Sequence, residues 1–321
     1  MPLPDSATEF LRSQADRVRA LGRTRRIVFP EGGDARVQAA ARRLEAEKLV
    51  QPVLVTPVSA AADPRLGKYA AILHERRRAK GMTQGEAAQL AARPLYFSCL
   101  MVAAGDADGF VGGAANSTAD TVRAALQCIG PAPKVTTVST FMALCVRNPA
   151  FGHRGVLAIA DPALVVEPTP VELADITIAT AGSVHALMGI EPVVAMLSFS
   201  TKGSGKHKKS DAVVEAFRIV QARAPELHVD AELQADAALV EAVGRSKAPG
   251  STVIGRVNTL IFPDLNAANI GYKLVERLGD AAAFGPFLQG LAKPANDLSR
   301  GCSADDVYGA ALVTALQAGR T

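Results

Sequence analysis

The chain has 321 residues, 49% of them hydrophobic and 21% charged, with a formal net charge of +4 at pH 7. This composition excludes a disordered chain, and the length exceeds what one ordinary core holds, so two domains are expected. The charge is small and spread along the chain, which excludes the concentrated basic face of a nucleic-acid binder and suits small anionic substrates.

Four cysteines, Cys99, Cys128, Cys145 and Cys302, are scattered and form no C-x-x-C pair. That pattern fits a reducing compartment and offers no zinc site. Met1-Pro2-Leu3-Pro4 runs into a charged helical pattern without a basic and apolar leader. No stretch reaches membrane-spanning length without polar residues. A cytoplasmic protein with no membrane segment is expected.

Ser6 and Glu9 suggest a capping box, and Leu11, Ala15, Val18 and Leu21 give a helical stripe. An apolar strand at 26–29 ends in Pro30-Glu31-Gly32-Gly33-Asp34. A helix follows, with Val37, Ala40, Ala41 and Leu44, then a strand at 52–55. Strand, loop, helix, strand is the signature of a parallel α/β sheet. Thr83 and Glu86 form another capping box, and Pro94 starts the next helix. Residues 110–113 read as a strand end, and Asn116-Ser117-Thr118 leads into a helix carrying Arg123. Residues 136–140 are strand-like, and the turn-rich 147–152 marks a domain crossing.

The alternation continues. Strands are expected at 155–161, 193–197, 227–230, 252–254 and 259–261, and helices at 171–188, 210–222 and 266–278. A glycine-broken apolar run at 284–291 and the breaker Lys293-Pro294 precede the last segment. The expected division is a first α/β domain of residues 1–145 plus 297–321 and a second of 146–296.

In open α/β sheets, ligands bind off the carboxyl ends of the strands. That rule selects Glu31 to Asp34, 112–118, Asp161, 198–205 and 263–266. Ser117, Thr118, Ser200, Thr201 and Ser204 are therefore candidate substrate-binding residues. Lys206, Lys208 and Lys209 read as a solvated basic loop. Arg77, within Arg76-Arg77-Arg78, and Arg123 either lie on solvated faces or grip an anion.

Asn296-Asp297-Leu298-Ser299-Arg300-Gly301-Cys302-Ser303-Ala304-Asp305-Asp306 packs two serines, an arginine and three carboxylates into one segment. Ser303 is the expected N-cap of a last helix whose stripe is Val307, Ala310, Ala311 and Ala315. A glycine and small residues before a helix N-terminus suit an anion, and the Arg300 fork suits phosphate. Asp306 sits where a base would act beside that anion. It also sits where it would complete a capping box, and both readings stand. Cys302, a further candidate substrate-binding residue, is either a thiol activated by the helix or a small packing residue close to the site. No Walker lysine, G-x-G-x-x-G or G-x-S-x-G motif is present, and the five histidines form no ligand-spaced pair. Neither a metal nor a cofactor is expected.

Taken together, the motifs resemble the phosphate acetyl/butyryltransferase family, in its short, single-module phosphate acetyltransferase type. The resemblance runs through Ile27-Val28-Phe29-Pro30-Glu31-Gly32, Lys80-Gly81-Met82-Thr83, Arg93-Pro94-Leu95-Tyr96-Phe97 and Ser117-Thr118-Ala119-Asp120-Thr121. It continues in Ser198-Phe199-Ser200-Thr201-Lys202-Gly203-Ser204, Phe262-Pro263-Asp264-Leu265-Asn266 and the segment through Asp306. It implies two α/β domains of the isocitrate/isopropylmalate-dehydrogenase-like kind, a cleft between them, and a homodimer. The implied reaction is acetyl-CoA plus phosphate to acetyl phosphate plus CoA, reversibly, by direct thiolate attack in a ternary complex with no metal or prosthetic group. It implies Asp306, Ser299 and Arg300 as catalytic residues, with Arg77 and Arg123 as further substrate arginines. Gly33, Arg93, Asn116 and 165–168 depart from the family pattern. The alternatives are a phosphate butyryltransferase, a metal- and NAD(P)-dependent dehydrogenase of similar fold, and a non-catalytic sensor of CoA or acetyl phosphate.

Overall fold

Apolar strands alternating with helices form two α/β units in the computed structural model, which describes residues 3–319. Met1, Pro2, Arg320 and Thr321, which the sequence places in the first domain, lie outside the described residues. One unit comprises Ser13–Val135 and Gly285–Thr321, the other Met1–Arg12 and Thr136–Phe284.

In chain order the elements begin α1 (Asp5–Arg19), β1 (Arg25–Phe29), α2 (Ala35–Ala46), β2 (Val50–Leu54), α3 (Pro57–Ala62) and α4 (Leu66–Arg77). Next are α5 (Gln84–Ala91), α6 (Pro94–Ala104), β3 (Gly109–Gly112), α7 (Thr118–Cys128), β4 (Ser139–Cys145), β5 (Val156–Ala160) and α8 (Pro170–Ser183). Then come β6 (Val193–Leu197), α9 (Lys208–Arg223), β7 (His228–Leu233), α10 (Ala235–Leu239), α11 (Glu241–Lys247) and β8 (Thr259–Ile261). The chain closes with α12 (Leu265–Leu278), β9 (Ala282–Gln289), β10 (Ala295–Asp297) and α13 (Ala304–Ala318).

Among the described residues, the first unit holds a four-stranded sheet ordered β10-β3-β1-β2, parallel throughout. Its strands are short, and the inner β3 and the end strand β10 are fully buried while the edge strand β2 is largely not. On one face, α4 to α7 pack around Tyr69, Leu73, Phe97, Leu100 and Phe110. Tyr69 and Phe97 meet edge to face at 5.0 Å between centroids. Burying each such side chain contributes about 1.5–3 kcal/mol. Residues 95–102 of α6 are buried on all sides, which makes it a core helix. On the other face, α13 packs on α2 and on β1 and β3.

The second unit's sheet is ordered β7-β6-β8-β5-β4-β9. It is mixed: β5, β8, β6 and β7 run parallel, while β4 pairs antiparallel with β5. The turn-rich 147–152 reverses the chain between β4 and β5, so here the parallel expectation gives way to a hairpin-like pair.

Three local expectations are corrected. Ser6 does not cap α1; it lies inside the helix and donates to the Val146 carbonyl at 2.7 Å. Residues 252–254 are not a strand, because the consecutive Val253 and Ile254 both pack on one apolar cluster and Arg256 N bonds back to Val253 O at 3.0 Å. The strand expected from 136 starts at Ser139, since the Thr136 and Thr137 hydroxyls are drawn to Asp175 at 2.7 and 2.6 Å. Among the described residues no single helix is long and apolar enough to cross a membrane.

Candidate active site

The adjacent strands β10, β3 and β1 deliver three loops to one edge of the four-stranded sheet: 298–303, 113–117 and 30–34. Parallel strands place their carboxyl ends together, so residues far apart in sequence converge there.

Arg36, on the first turn of α2, ties the three loops. Its guanidinium pairs with Asp34, the α2 N-cap, with Nη2 to Oδ2 at 2.8 Å. It also donates to the carbonyls of Ala114 at 2.8 Å, Arg300 at 2.8 Å and Cys302 at 3.0 Å. The planar fork suits several acceptors at fixed angles. The same fork holds the Asp34 carboxyl down at about 2, so it stays ionised at neutral pH.

Glu31 organises the second loop. Its Oε1 accepts from the amides of Gly113 at 2.9 Å, Ala115 at 3.2 Å and Asn116 at 3.3 Å, and from Asn116 Nδ2 at 2.7 Å. Gly113 has φ +106, and a Cβ there would stand 2.3 Å from Asp297 Oδ1. Only glycine satisfies both demands. Asp297, the last residue of β10, is 1% exposed, and neither of its oxygens has a hydrogen-bond donor in good geometry. Burial, with the Glu31 charge adding to it, pushes its carboxyl up to about 7.

The segment after β10 carries the predicted catalytic residues. Ser299 and Arg300 are exposed. Ser299 Oγ accepts from Gly301 N at 3.2 Å, and Cys302 N donates to Ser299 O at 2.9 Å, a tight turn. Ser303 caps α13 as expected, and the reciprocal box is present. Ser303 N and Oγ donate to Asp306 Oδ2 at 2.7 and 2.9 Å, and Asp306 N donates to Ser303 Oγ at 3.2 Å. Asp306 therefore does cap the helix, three residues beyond the turn that shows Ser299 and Arg300 to solvent. Cys302 is buried, and that burial pushes its thiol up to about 11 although Arg36 works against it. It is a neutral thiol near pH 7.

Ser117 caps α7, accepting from Asp120 N at 3.2 Å and donating to Asp120 Oδ2 at 2.7 Å. Thr118 opens that helix. Arg123 pairs with Asp120 at 2.7 Å, both side chains more than half exposed. A cavity of about 580 Å³ opens beside this helix, its wall including Glu31, Asp34, Arg93, Asn116 and Arg123. The amino ends of α2, α6 and α7 contribute residues to it, which favours an anion. Arg77 lines a neighbouring cavity of about 520 Å³ with Lys80, Glu86 and Arg93. Arg93 is thus shared by both walls. Of the basic cluster, Arg76 is tied to the Ile129 carbonyl at 3.0 Å and Arg78 to Glu75 at 2.8 Å, leaving Arg77 at the cavity. Neither cavity wall includes Ser299, Arg300 or Asp306.

Ser200, Thr201 and Ser204 belong to the other unit, in the loop after β6. Their hydroxyls serve the loop itself. Ser200 Oγ accepts from Gly205 N at 2.8 Å, Ser204 Oγ from Thr201 N at 3.0 Å, and Thr201 Oγ1 from Gln234 N at 3.0 Å. Lys202 pairs with Asp230, and Lys209 with Asp264 at 3.0 Å, while Lys206 and Lys208 are exposed. Asp161 is buried and gathers the amides of Ala163, Leu164 and Val165 at 3.0–3.1 Å.

Arg36, Arg93 and Asp297 were not named as site residues from the sequence. Asp34 followed two residues later by arginine was the available signal for Arg36. Arg93 was noted only as a departure from the family pattern. Among the described residues no three His, Cys, Asp or Glu side chains gather as a metal-ligating group.

A family model described as Phosphate acetyl/butaryl transferase matches residues 10–315. The chain is similar to a phosphate acetyltransferase of Acetivibrio thermocellus, 44% identical over 318 residues, covering 94% of this chain and 96% of that one. It is similar to one of Paracoccus denitrificans, 46% identical over 301 residues, covering 91% and 95%. Among solved structures it resembles a phosphotransacetylase from Streptococcus pyogenes, with a TM-score of 0.88, 40% identity and coverage of 98% and 99%.

Proposed function

Because this chain belongs to the Phosphate acetyl/butaryl transferase family, we propose that it moves an acetyl group reversibly between CoA and inorganic phosphate. It is an acyltransferase. The observation that carries the reading is the near-full-length match to phosphate acetyltransferases, with Ser299 and Arg300 in the turn between β10 and α13 and Asp306 in the first turn of α13.

In the direction that consumes acetyl phosphate, the CoA thiol gives its proton to the Asp306 carboxylate. The thiolate sulfur attacks the acetyl carbonyl carbon, and a C–S bond forms. Ser299 donates to the oxyanion, an effect worth ~10²–10³ in rate for a preorganised donor. The C–O bond to phosphorus-bound oxygen then breaks, and phosphate leaves against Arg300. Holding both substrates in one ternary complex replaces a covalent enzyme intermediate. A thiol like Cys302, held neutral by burial, has no part as nucleophile in this scheme.

Arg77 and Arg123, with Arg93 between their cavities, supply positive charge for the phosphates of CoA. Ser117 and Thr118 support that wall from the start of α7. Ser200, Thr201 and Ser204 shape the 198–205 loop as a substrate-facing surface. The reaction uses no metal or prosthetic group, and the enzyme works as a homodimer in the cytoplasm, without nucleic acid or membrane partners.

The test is phosphate-dependent CoA release from acetyl-CoA, with Asp306→Asn and butyryl-CoA in parallel. Rapid release by the wild type, weakened by the substitution and poor with butyryl-CoA, is expected. No release from either thioester sinks the enzyme assignment. Faster release from butyryl-CoA moves the chain to the butyryl branch of the family.

A further inference from the structure

Two carboxyl groups at the edge of the four-stranded sheet are left with buried, unmet oxygens: Glu31 through Oε2, and Asp297 through both. Their contact is made through one residue. Gly113 N donates to Glu31 Oε1 at 2.9 Å, and the side of Gly113 where a Cβ would stand faces Asp297 Oδ1. The Thr118 and Thr121 hydroxyls lie beside Asp297, but Thr121 Oγ1 donates to Ser117 O at 3.1 Å. Asp297, sealed from water at 1% exposure with no donor in good geometry on either oxygen and beside the partly buried Glu31, gives up its proton only at a large desolvation cost.

The ionisable groups on the elements packed against β10 are engaged elsewhere, and Arg300 in the following turn is exposed to solvent. β10 packs against β3, α7 and α13. β3 carries none. On α7, Asp120 pairs with Arg123; on α13, Asp305 pairs with Arg43 at 2.9 Å and Asp306 binds Ser303. In the loop after β1, Asp34 pairs with Arg36. Glu31 is the group whose charge acts on Asp297.

We propose that Asp297 carries a proton in the working protein and is a positioning residue, coupling the Glu31-anchored loop 113–116 to the segment 298–303 that presents Ser299 and Arg300. The covalent path is short. Leu298 N donates to Gly112 O at 2.7 Å, so a shift of Asp297 moves the β3–β10 strand ends and the turn that follows. Loss of the proton puts a second negative charge against Gly113, and the amides that Glu31 gathers are released. The effect on turnover rests on the acyl-transfer reading; the coupling of the two loops does not.

The experiment is amide hydrogen exchange at Gly113, Ala115 and Asn116, corrected for intrinsic rates, across pH 6 to 9 (roughly the window about a neutral carboxyl midpoint). It is run on the full chain and on Asp297→Asn and Glu31→Gln. Asparagine mimics the protonated acid and carries no charge. Glutamine keeps an acceptor for the loop amides and removes the repelling charge. The wild type is expected to lose protection by roughly tenfold as pH rises through neutrality, and both variants to hold it. If Asp297→Asn does not fold, Glu31→Gln carries the test alone. Protection that is independent of pH in the wild type, or a pH dependence that persists unchanged in a folded variant, overturns the proposal. Neither result depends on the protein turning over acetyl-CoA.

Discussion

The Arg36 guanidinium holds the backbone carbonyl of Arg300 at 2.8 Å, so one arginine fixes the loop from which another reaches solvent. Because Arg36 also binds Asp34 and the carbonyls of Ala114 and Cys302, its loss releases several acceptors at once. Hydrogen bonds to charged groups are worth ~1.5–3 kcal/mol each, and they are not additive within one network. Arg36→Ala is expected to lower kcat by at least about tenfold. Arg36→Lys is expected to rescue little, since one ammonium lacks the fork. Steady-state kinetics beside calorimetry on both variants checks this; a fully active Arg36→Lys contradicts it.

Asp306 caps α13, and one variant separates that role from the proposed role as base. Asparagine can still accept at the cap, so Asp306→Asn is expected to keep stability within about 1 kcal/mol of the wild type. It cannot take a proton from a thiol, so turnover is expected to fall by ~10²–10⁴. Equal losses of stability and activity in urea unfolding and thiol-release assays would return Asp306 to a capping role only.

Gly113→Ala tests the close approach of the 113–116 loop to β10. The φ of +106 and the 2.3 Å encounter with Asp297 Oδ1 together predict destabilisation of about 2–4 kcal/mol. Removing the obstacle with Asp297→Ala is expected to recover part of that loss, which a double-mutant cycle reads directly.

The Asp297 carboxyl also sets a pH trend in stability. Its ordinary value is 3.8 and its folded value is about 7, so the folded state holds the proton more tightly than the unfolded state. Its favourable contribution is complete below about pH 4, declines as pH rises through 7, and is gone above it. Asparagine does not titrate. The stability of Asp297→Asn relative to the wild type is therefore expected to rise between pH 4 and 7 and level off, by an amount on the order of 4 kcal/mol. Thermal unfolding at several pH values measures it; a flat difference removes the assignment.

Arg123 and Arg93 line the larger cavity. If they meet the phosphates of CoA, Arg123→Gln and Arg93→Gln are each expected to raise the KM for acetyl-CoA by roughly tenfold with kcat nearly unchanged. A fall in kcat at constant KM would instead place these arginines at the reacting phosphate.

Much of the frame was legible because it is local. The strand at 193–197, the Thr83 capping box and Ser303 before its apolar stripe are each written in neighbouring residues. The candidate segment stood out as a cluster of residue types around Ser299 and Arg300. Arg36 was not, because its acceptors at 300 and 302 lie more than 260 positions away. Asp297 was counted among the acids of that segment. Nothing in the letters distinguishes a carboxylate in water from one sealed between β3 and α7. The direction of β4 against β5 was equally hidden, since the buried apolar run at 141–145 reads the same either way.

The four-stranded sheet draws its end strand β10 and its covering helix α13 from the last part of the chain. During synthesis, residues 136–284 emerge whole before either appears. The growing chain therefore carries β3 with a bare edge and an uncovered apolar face while the other unit is already complete. Ribosome stalling or premature termination before residue 295 leaves a species with no Ser299 turn and an open, sticky strand, a substrate for chaperones and proteases rather than a weak enzyme.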